Sequence, residues 1–252
     1  MKKLFTILLF SLLFTATRSQ TVDGVLTKYF ESIGGIEKWK ALKTMKMVGQ
    51  LPTPQGEFAF EMLRKSPDKM LISVDVMGQK LIPQAYDGTT AWMINPFTGS
   101  PEAQILPEDQ AKSLKMDAVF EDPFIEYATK GYEVTYEGTG EVEGSQCHIL
   151  KLIRNKGQGA DEAVSSYYFD SNSYLPVMVK QNVNSGQSGS QEVEIYYSDY
   201  QDVGNGLIMP FSMDNRMNGQ SVQAIKFTTI VVNEEIADET FKYPGEAAPA
   251  VQ

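Results

Sequence analysis

Phe58-Ala59-Phe60-Glu61-Met62-Leu63-Arg64-Lys65-Ser66-Pro67-Asp68-Lys69-Met70-Leu71-Ile72-Ser73-Val74-Asp75-Val76 is the stretch whose reading decides the fold. Phe58, Phe60 and Met62 recur at every second position, Ser66-Pro67-Asp68 supplies a turn, and Met70, Ile72, Val74 and Val76 resume the same period. A period of two sends alternate side chains to opposite faces of an extended strand. The stretch therefore predicts a β-hairpin with one continuous apolar face.

Upstream, Val25, Leu26, Tyr29, Phe30, Ile33, Ile36, Trp39 and Leu42 are spaced by three and four, with Gly34-Gly35 interrupting them. That spacing predicts two short helices, with a sheet starting at Thr44. Downstream, 80–86 reads as a strand ending at the Asp87-Gly88 turn, and Thr89 to Ile94, with Trp92 inside it, reads as the next. Pro83 has no N–H for a strand ladder and marks an edge or a bulge. A turn-rich loop, Asn95 to Pro101, precedes helices expected over 107–115 and 119–129. Strands are expected again at 132–137, 146–154, 163–169, 174–183, 191–200, 207–217 and 220–232, with turns at Gly138-Thr139-Gly140, Ser185-Gly186 and Asn218-Gly219. The fold class is mainly β within α+β: one meandering antiparallel sheet, curved into an incomplete barrel, with short helices as a lid on its open side.

The ends read differently. Lys2-Lys3, the apolar run Leu4 to Phe14 and the short polar segment to Ser19 have the three-part build of a secretory signal peptide, with cleavage expected after Ser19. The apolar run is 11 residues long, well short of the roughly 20 that a membrane-spanning helix needs. No cysteine stands near the cut, so no lipid-anchored N-terminus is expected. Residues 20–244 are expected to fold as one domain, with the tail 245–252, rich in Ala and Pro, disordered. The whole chain has 22 Lys and Arg against 32 Asp and Glu, a formal charge of −10. Without Lys2, Lys3 and Arg18 the balance becomes 19 against 32, or −13. That sign speaks against nucleic acid and anionic membrane surfaces as partners. Cys147 is the only cysteine, so no intramolecular disulfide can form.

Catalytic patterns are sparse. Hydrolases of the Ser-His-Asp type and His-rich metal sites need histidine, and the chain has one, His148. It sits on a strand next to Cys147, so the two point to opposite faces. The acid pairs Glu108-Asp109, Glu121-Asp122 and Glu234-Glu235 fit a helix N-terminus or solvated loops better than the two-acid cleft of a glycosidase. No acidic loop has calcium spacing, and Gly157-Gln158-Gly159 lacks the following helix that phosphate binding requires. No catalysis, cofactor or metal is expected. The positive signal is methionine among aromatic-rich strands, as at Met45, Met47, Met62, Met70 and Met213, because methionine adapts to variable apolar shapes.

An ordered set of short motifs runs through the chain: Ser32-Ile33-Gly34-Gly35-Ile36-Glu37, Tyr86-Asp87-Gly88 before Trp92, Ile94-Asn95-Pro96, Tyr168-Phe169-Asp170 before Leu175-Pro176, and Ser198-Asp199-Tyr200 before Gly206-Leu207-Ile208-Met209-Pro210. Together they resemble the LolA-like outer-membrane lipoprotein-sorting proteins of Bacteroidetes type. The resemblance implies an incomplete antiparallel barrel closed by helices, and carriage of acylated lipoproteins or other lipids across the periplasm. It further implies an arginine on an early strand that tethers the lid, and Arg64 is the only arginine on the early strands.

The expected function is that of a soluble, monomeric periplasmic carrier for acyl chains, with a lipid or acylated lipoprotein as cargo and an outer-membrane protein as candidate acceptor. Phe58, Phe60, Met62, Met70, Ile72, Val74 and Trp92 would line the cavity, and Leu114, Phe120 and Phe124 would form the lid. The alternative is an envelope interaction or sensor module that uses the same half-barrel with a filled core.

Overall fold

A computed structural model of the chain describes residues 21–53, 56–95, 97, 102–159, 162–184 and 190–245. The segment read as an export signal, most of the 95–101 loop, the Ser185-Gly186 turn and all of the tail beyond residue 245 lie outside the described residues.

Two helices come first, α1 (Val22–Ser32) and α2 (Ile36–Lys40), separated by Gly34-Gly35 as the spacing predicts. Thr21 caps α1, its hydroxyl oxygen accepting from the Gly24 N–H at 3.1 Å. Six strands follow: β1 (Thr44–Thr53), β2 (Gly56–Lys65), β3 (Lys69–Val76), β4 (Gln79–Tyr86), β5 (Ala91–Ile94) and β6 (Ala103–Ile105). After α3 (Glu108–Ala118) come β7 (Glu133–Val142), β8 (Ser145–Arg154), β9 (Ala163–Asp170), β10 (Pro176–Asn184), β11 (Ser190–Asp202), β12 (Ile208–Met217) and β13 (Gln220–Val232), then a 3-10 turn at Asp238–Phe241.

All thirteen strands form one sheet in the order β6-β5-β4-β3-β2-β1-β13-β12-β11-β10-β9-β8-β7. It consists of two meanders joined where the first strand pairs with the last, Met45 opposite Val232 and Met47 opposite Ile230. The sheet does not close, and β6 and β7 are its free edges. The chain between them has to travel from one edge to the other, which carries α3 and residues 119–131 across one face. α3 belongs to that face for this topological reason.

The helix-bearing face is packed at both ends. Val25, Tyr29 and Phe30 of α1 and Ile33 just after it join Phe124 and Ile125 over Leu150, Leu152 and Phe169 of β8 and β9. Leu114 and Ala118 of α3 cover Met70, Tyr86 and Ala91. The opposite face has a smaller cover, where Leu63, Leu71, Ile82, Ala85 and Trp92 lie under Ile236 and Phe241 of the C-terminal segment.

Pro83 marks a bulge, one of its two expected places: Ile72 pairs with Gln84 while Val74 pairs with Leu81, so β4 has one extra residue there. Other expectations are corrected. Residues 119–129 form a series of turns and no helix. Pro123 interrupts the backbone, and Glu126 takes a positive φ of 49° that no α-helix accommodates. The Gly138-Thr139-Gly140 turn does not occur, since β7 runs through it with a register shift at Gly138 and turns at Glu143-Gly144. The short edge strand β6 was not anticipated.

The C-terminal cover is fastened by charge. Lys65 and Lys69 hold Asp238 at 2.7 and 2.9 Å, and Lys65 Nζ also donates to the Ile236 carbonyl at 2.6 Å. Hydrogen bonds from the two lysines hold the Asp238 carboxyl down at about 2, against an ordinary value of 3.8. Its contribution to stability is therefore complete above the ordinary value and is lost as pH falls towards 2. We expect Trp92 fluorescence, read in a Trp39→Phe background, to change over that acid range, and Asp238→Asn to abolish this component of the transition.

Candidate functional site: an apolar sheet face beneath a tethered lid

Register places the predicted apolar residues side by side. Phe60 lies opposite Val74 and Met62 opposite Ile72, and on the other flank Phe58 lies opposite Leu51 and Met62 opposite Met47. Phe58, Phe60, Met62, Met70, Ile72 and Val74 thus share the helix-bearing face. Phe60, Met70 and Val74 are buried, whereas Phe58, Met62 and Ile72 remain half-buried. Leu51, Val76, Leu81, Phe211 and Met213, also half-buried, extend the same apolar floor.

Trp92 does not join this floor. It pairs with Ala85 and packs with Leu63 and Leu71 on the opposite face, where its Nε1–H donates to the Phe241 carbonyl at 2.9 Å. The extra residue at Pro83 inverts the alternation between β3 and β5, and so turns Trp92 away.

The three predicted lid residues lie along one crossing segment but not together. Leu114 is buried over Met70 and Tyr86, Phe120 sits half-buried beside the apolar floor, and Phe124 is buried against Tyr167 at a ring separation of 4.7 Å. The end of α3 is tethered from the sheet. Arg64 Nη2 donates to the carbonyls of Asp117 at 3.0 Å and Val119 at 2.6 Å, and the guanidinium stands 5.8 Å from the Phe120 ring. A cation at a helix C-terminus is favoured by the partial negative charge of the unpaired carbonyls. Desolvation lowers the Arg64 pKa from its ordinary value, opposed by the nearby Asp117. Phe120 N–H donates to the Pro67 carbonyl at 2.9 Å, a second tie between lid and hairpin. Replacing Arg64 with Gln is expected to remove about 1.5–3 kcal/mol of stability, the scale for hydrogen bonds made by a charged group. Hydrogen exchange should rise in 114–120 ahead of the sheet, which mass spectrometry can read.

Arg154, at the end of β8, approaches the same helix end. Alternation puts it on the face of Leu150 and Leu152. Asp117 is exposed overall, yet its carboxyl is pushed up by desolvation and pulled down by Arg154 and then Arg64. β2 and β8 are seven strands apart in the sheet order, about 34 Å on a flat sheet at roughly 4.8 Å per strand. Both strands reach one helix end only because the sheet curls around it. Sequence reasoning missed Arg154; the available signal was an arginine continuing the period of two set by Leu150 and Leu152.

A separate cavity of about 730 Å³ opens between α1, α2 and residues 124–129. Leu26, Phe30, Ile36, Phe124 and Tyr127 are among its lining, with Asp23, Glu31, Glu37 and Glu126 also on it. Of the predicted site residues, Phe124 alone reaches it. The lid there is tied to α1 by the Tyr29 hydroxyl, which donates to Asp122 Oδ2 at 2.6 Å. Burial raises the Asp122 carboxyl above its ordinary value despite that bond, and burial, then Asp122, raise Tyr29. Asp122 is thus a half-buried structural acid and not the solvated loop residue expected. His148 stacks on Tyr174 at 5.5 Å on the helix-bearing side, and Cys147 is buried on the other.

Among the described residues no helix is long and apolar enough to cross a membrane, and no group of three or more His, Cys, Asp or Glu could hold a metal ion. The arrangement defines an open antiparallel half-barrel with a lid. No protein-family model matches the chain and no curated protein does. Solved structures do. A DUF1329 family protein from Desulfovibrio piger is 12% identical with a TM-score of 0.60, covering 89% of this chain and 98% of that one. A LolA superfamily protein from Nitrosomonas europaea is 10% identical with a TM-score of 0.56, covering 89% and 98%. A domain described as belonging to outer membrane lipoprotein sorting, from Vibrio parahaemolyticus, is 12% identical with a TM-score of 0.54, covering 86% and 94%. At these identities the likeness is one of fold, and the fold is LolA-like.

Proposed function

We propose that the protein is a non-catalytic periplasmic carrier that binds acyl chains of lipids or lipoproteins on the apolar floor beneath its lid. One observation carries the reading. The helix-bearing face is packed under helices and lid at its two ends, yet between them Leu51, Phe58, Met62, Phe211 and Met213 stay half-buried. A contiguous apolar surface of this kind marks a binding site more often than an unfinished core. An alkyl chain laid on it would gain about 25 cal/mol per Å² of apolar area removed from water. The flexible methionines would let the floor fit chains of different shape. Export on the signal segment 1–19, with the folded region running to residue 244, belongs to the same reading, as does handover to an outer-membrane acceptor.

The likeness in fold to a lipoprotein-sorting domain supports the reading without carrying it. The cavity beside α1 favours a second reading, an interaction module, because it lies on the lid and away from the apolar floor. Mass spectrometry of lipid extracted from the purified protein separates the two. Stoichiometric acyl lipid is expected, and its absence together with no binding of an apolar fluorescent dye would remove the carrier. Met62→Asp places a charge on the half-buried floor. It is expected to keep the circular dichroism of the parent and to weaken dye binding about tenfold or more, since an unpaired charge in an apolar contact is costly.

A further inference from the structure

Arginine is scarce in this chain, occurring at positions 18, 64, 154 and 216 against eighteen lysines. Arg216 is satisfied on the face away from the helices: Asp214 and Glu143 hold it at 2.6 and 2.8 Å, and it stacks on Tyr196 at 3.9 Å. Arg64 and Arg154 are different. Both belong to the helix-bearing face, neither has a carboxylate within ion-pairing distance among the described residues, and in both the Nε is buried without a hydrogen-bond partner. Arg64 uses Nη2 on the two lid carbonyls, and among the described residues Arg154 makes no hydrogen bond to the lid. The Nδ2 of Asn155, next in sequence, lies 3.9 Å from Met116 Sδ, which holds this end of β8 against α3.

Unpaired donors of a charged group shut off from water are costly, so buried charges are ordinarily matched by an anion. The guanidinium fork fits the planar oxygens of a carboxylate or the oxygens of a phosphate. Both arginines act on the Asp117 carboxyl, but it lies outside ion-pairing distance of either. The apolar floor begins beside Arg64 itself, with Met62 two residues away on the same face of β2 and Met70 directly across the ladder. A cationic pair at the end of an apolar surface matches the two halves of an amphiphile.

We propose that Arg64 and Arg154 together receive the anionic head, carboxylate or phosphate, of an amphiphile whose alkyl chain lies on the floor formed by Phe58, Met62 and Ile72. The inference rests on the carrier reading and narrows its cargo to lipids with a negative head. Each guanidinium offers the terminal N–H groups that no protein acceptor takes, and the head completes the pairing that Asp117 leaves open. Arg154 is the decisive residue to test, because Arg64 also holds the lid.

The test compares tetradecanoate with tetradecanol, measured by displacement of an apolar dye from the full-length mature protein, with inorganic phosphate as a third competitor. Wild type should bind the acid about tenfold more tightly than the alcohol, the scale of one or two charge-assisted hydrogen bonds. In Arg154→Gln the acid-to-alcohol ratio should fall to about one, and Arg154→Lys should restore part of it. Equal binding of acid and alcohol by the wild type would overturn the anionic head site while leaving the carrier reading in place. Failure of both ligands to bind would overturn the carrier reading and the head site with it. Inorganic phosphate that binds through Arg154 as strongly as the acid displaces dye would make this a site for a free anion and overturn the assignment to an amphiphile.

Discussion

Phe169→Ala is expected to cost about 3–5 kcal/mol of stability, the range for truncating a buried phenylalanine. Phe169 has no exposed surface, and three aromatic rings surround it: Tyr29 at 5.2 Å, Phe124 at 5.8 Å and Tyr167 at 6.2 Å. Those rings come from α1, from the lid and from β9, so the side chain joins three parts of the fold at one point. Its removal opens a void that the sheet backbone cannot close. At roughly 2–4 °C per kcal/mol for a chain of this size, the melting temperature should fall by roughly 6–20 °C. Thermal and urea unfolding measure it, and Phe169→Leu, which fills most of the space, should lose much less. An alanine variant with near-parental stability would mean that the aromatic cluster does not hold α1 to the sheet.

Gly34→Ala should be comparably damaging for a different reason. Gly34 has φ of +102°, and a Cβ there would stand 2.0 Å from the Gly206 carbonyl oxygen, 2.9 Å from its carbon and 3.1 Å from Leu207 Cα. Every one of these atoms is backbone, so no rotamer change relieves the contact. The junction is also fixed by hydrogen bonds from Ile208 N–H to the Ile33 carbonyl at 3.2 Å and from Lys38 Nζ to the Asn205 carbonyl at 2.7 Å. Backbone strain of about 1–3 kcal/mol adds to about 1–3 kcal/mol for overpacking. Gly35 is the natural control. Its φ is +103°, but nothing lies within 4 Å of its Cβ position, so Gly35→Ala carries the strain alone. The difference between the two variants in urea unfolding measures the close approach of the helical hairpin to the β11–β12 connection.

The hairpin of β2 and β3 was legible in the sequence because its period of two is unbroken and its turn carries Ser66-Pro67-Asp68. The helical pair was legible because Gly34-Gly35 interrupts a clear spacing of three and four. Trp92 was misplaced for a physical reason: Met70-Leu71-Ile72 is apolar on both faces, so composition does not say which side is which, and one bulge inverts parity for everything beyond it. Similarly, the apolar marks Val119, Phe120, Phe124, Ile125 and Tyr127 fit a helix, and all but the exposed Val119 are buried or half-buried. Pro123 and the left-handed Glu126 decide the backbone, and periodicity alone is blind to both. The pairing of β1 with β13 leaves no local trace, since strand partners distant in sequence are chosen by the whole sheet. The two inward arginines are visible as residues, but their convergence depends on the curl of the sheet and could not be read from spacing.

The seam between β1 and β13 also dictates an order of assembly. Met45 meets Val232 only when the polypeptide is almost wholly available, so the middle of the sheet is the last thing to zip. Pairings so distant along the chain make folding slow, and until the final strand arrives β1 presents a bare row of amides able to recruit a foreign strand. A nascent or threaded chain of this design depends on being shielded until its last strand is delivered.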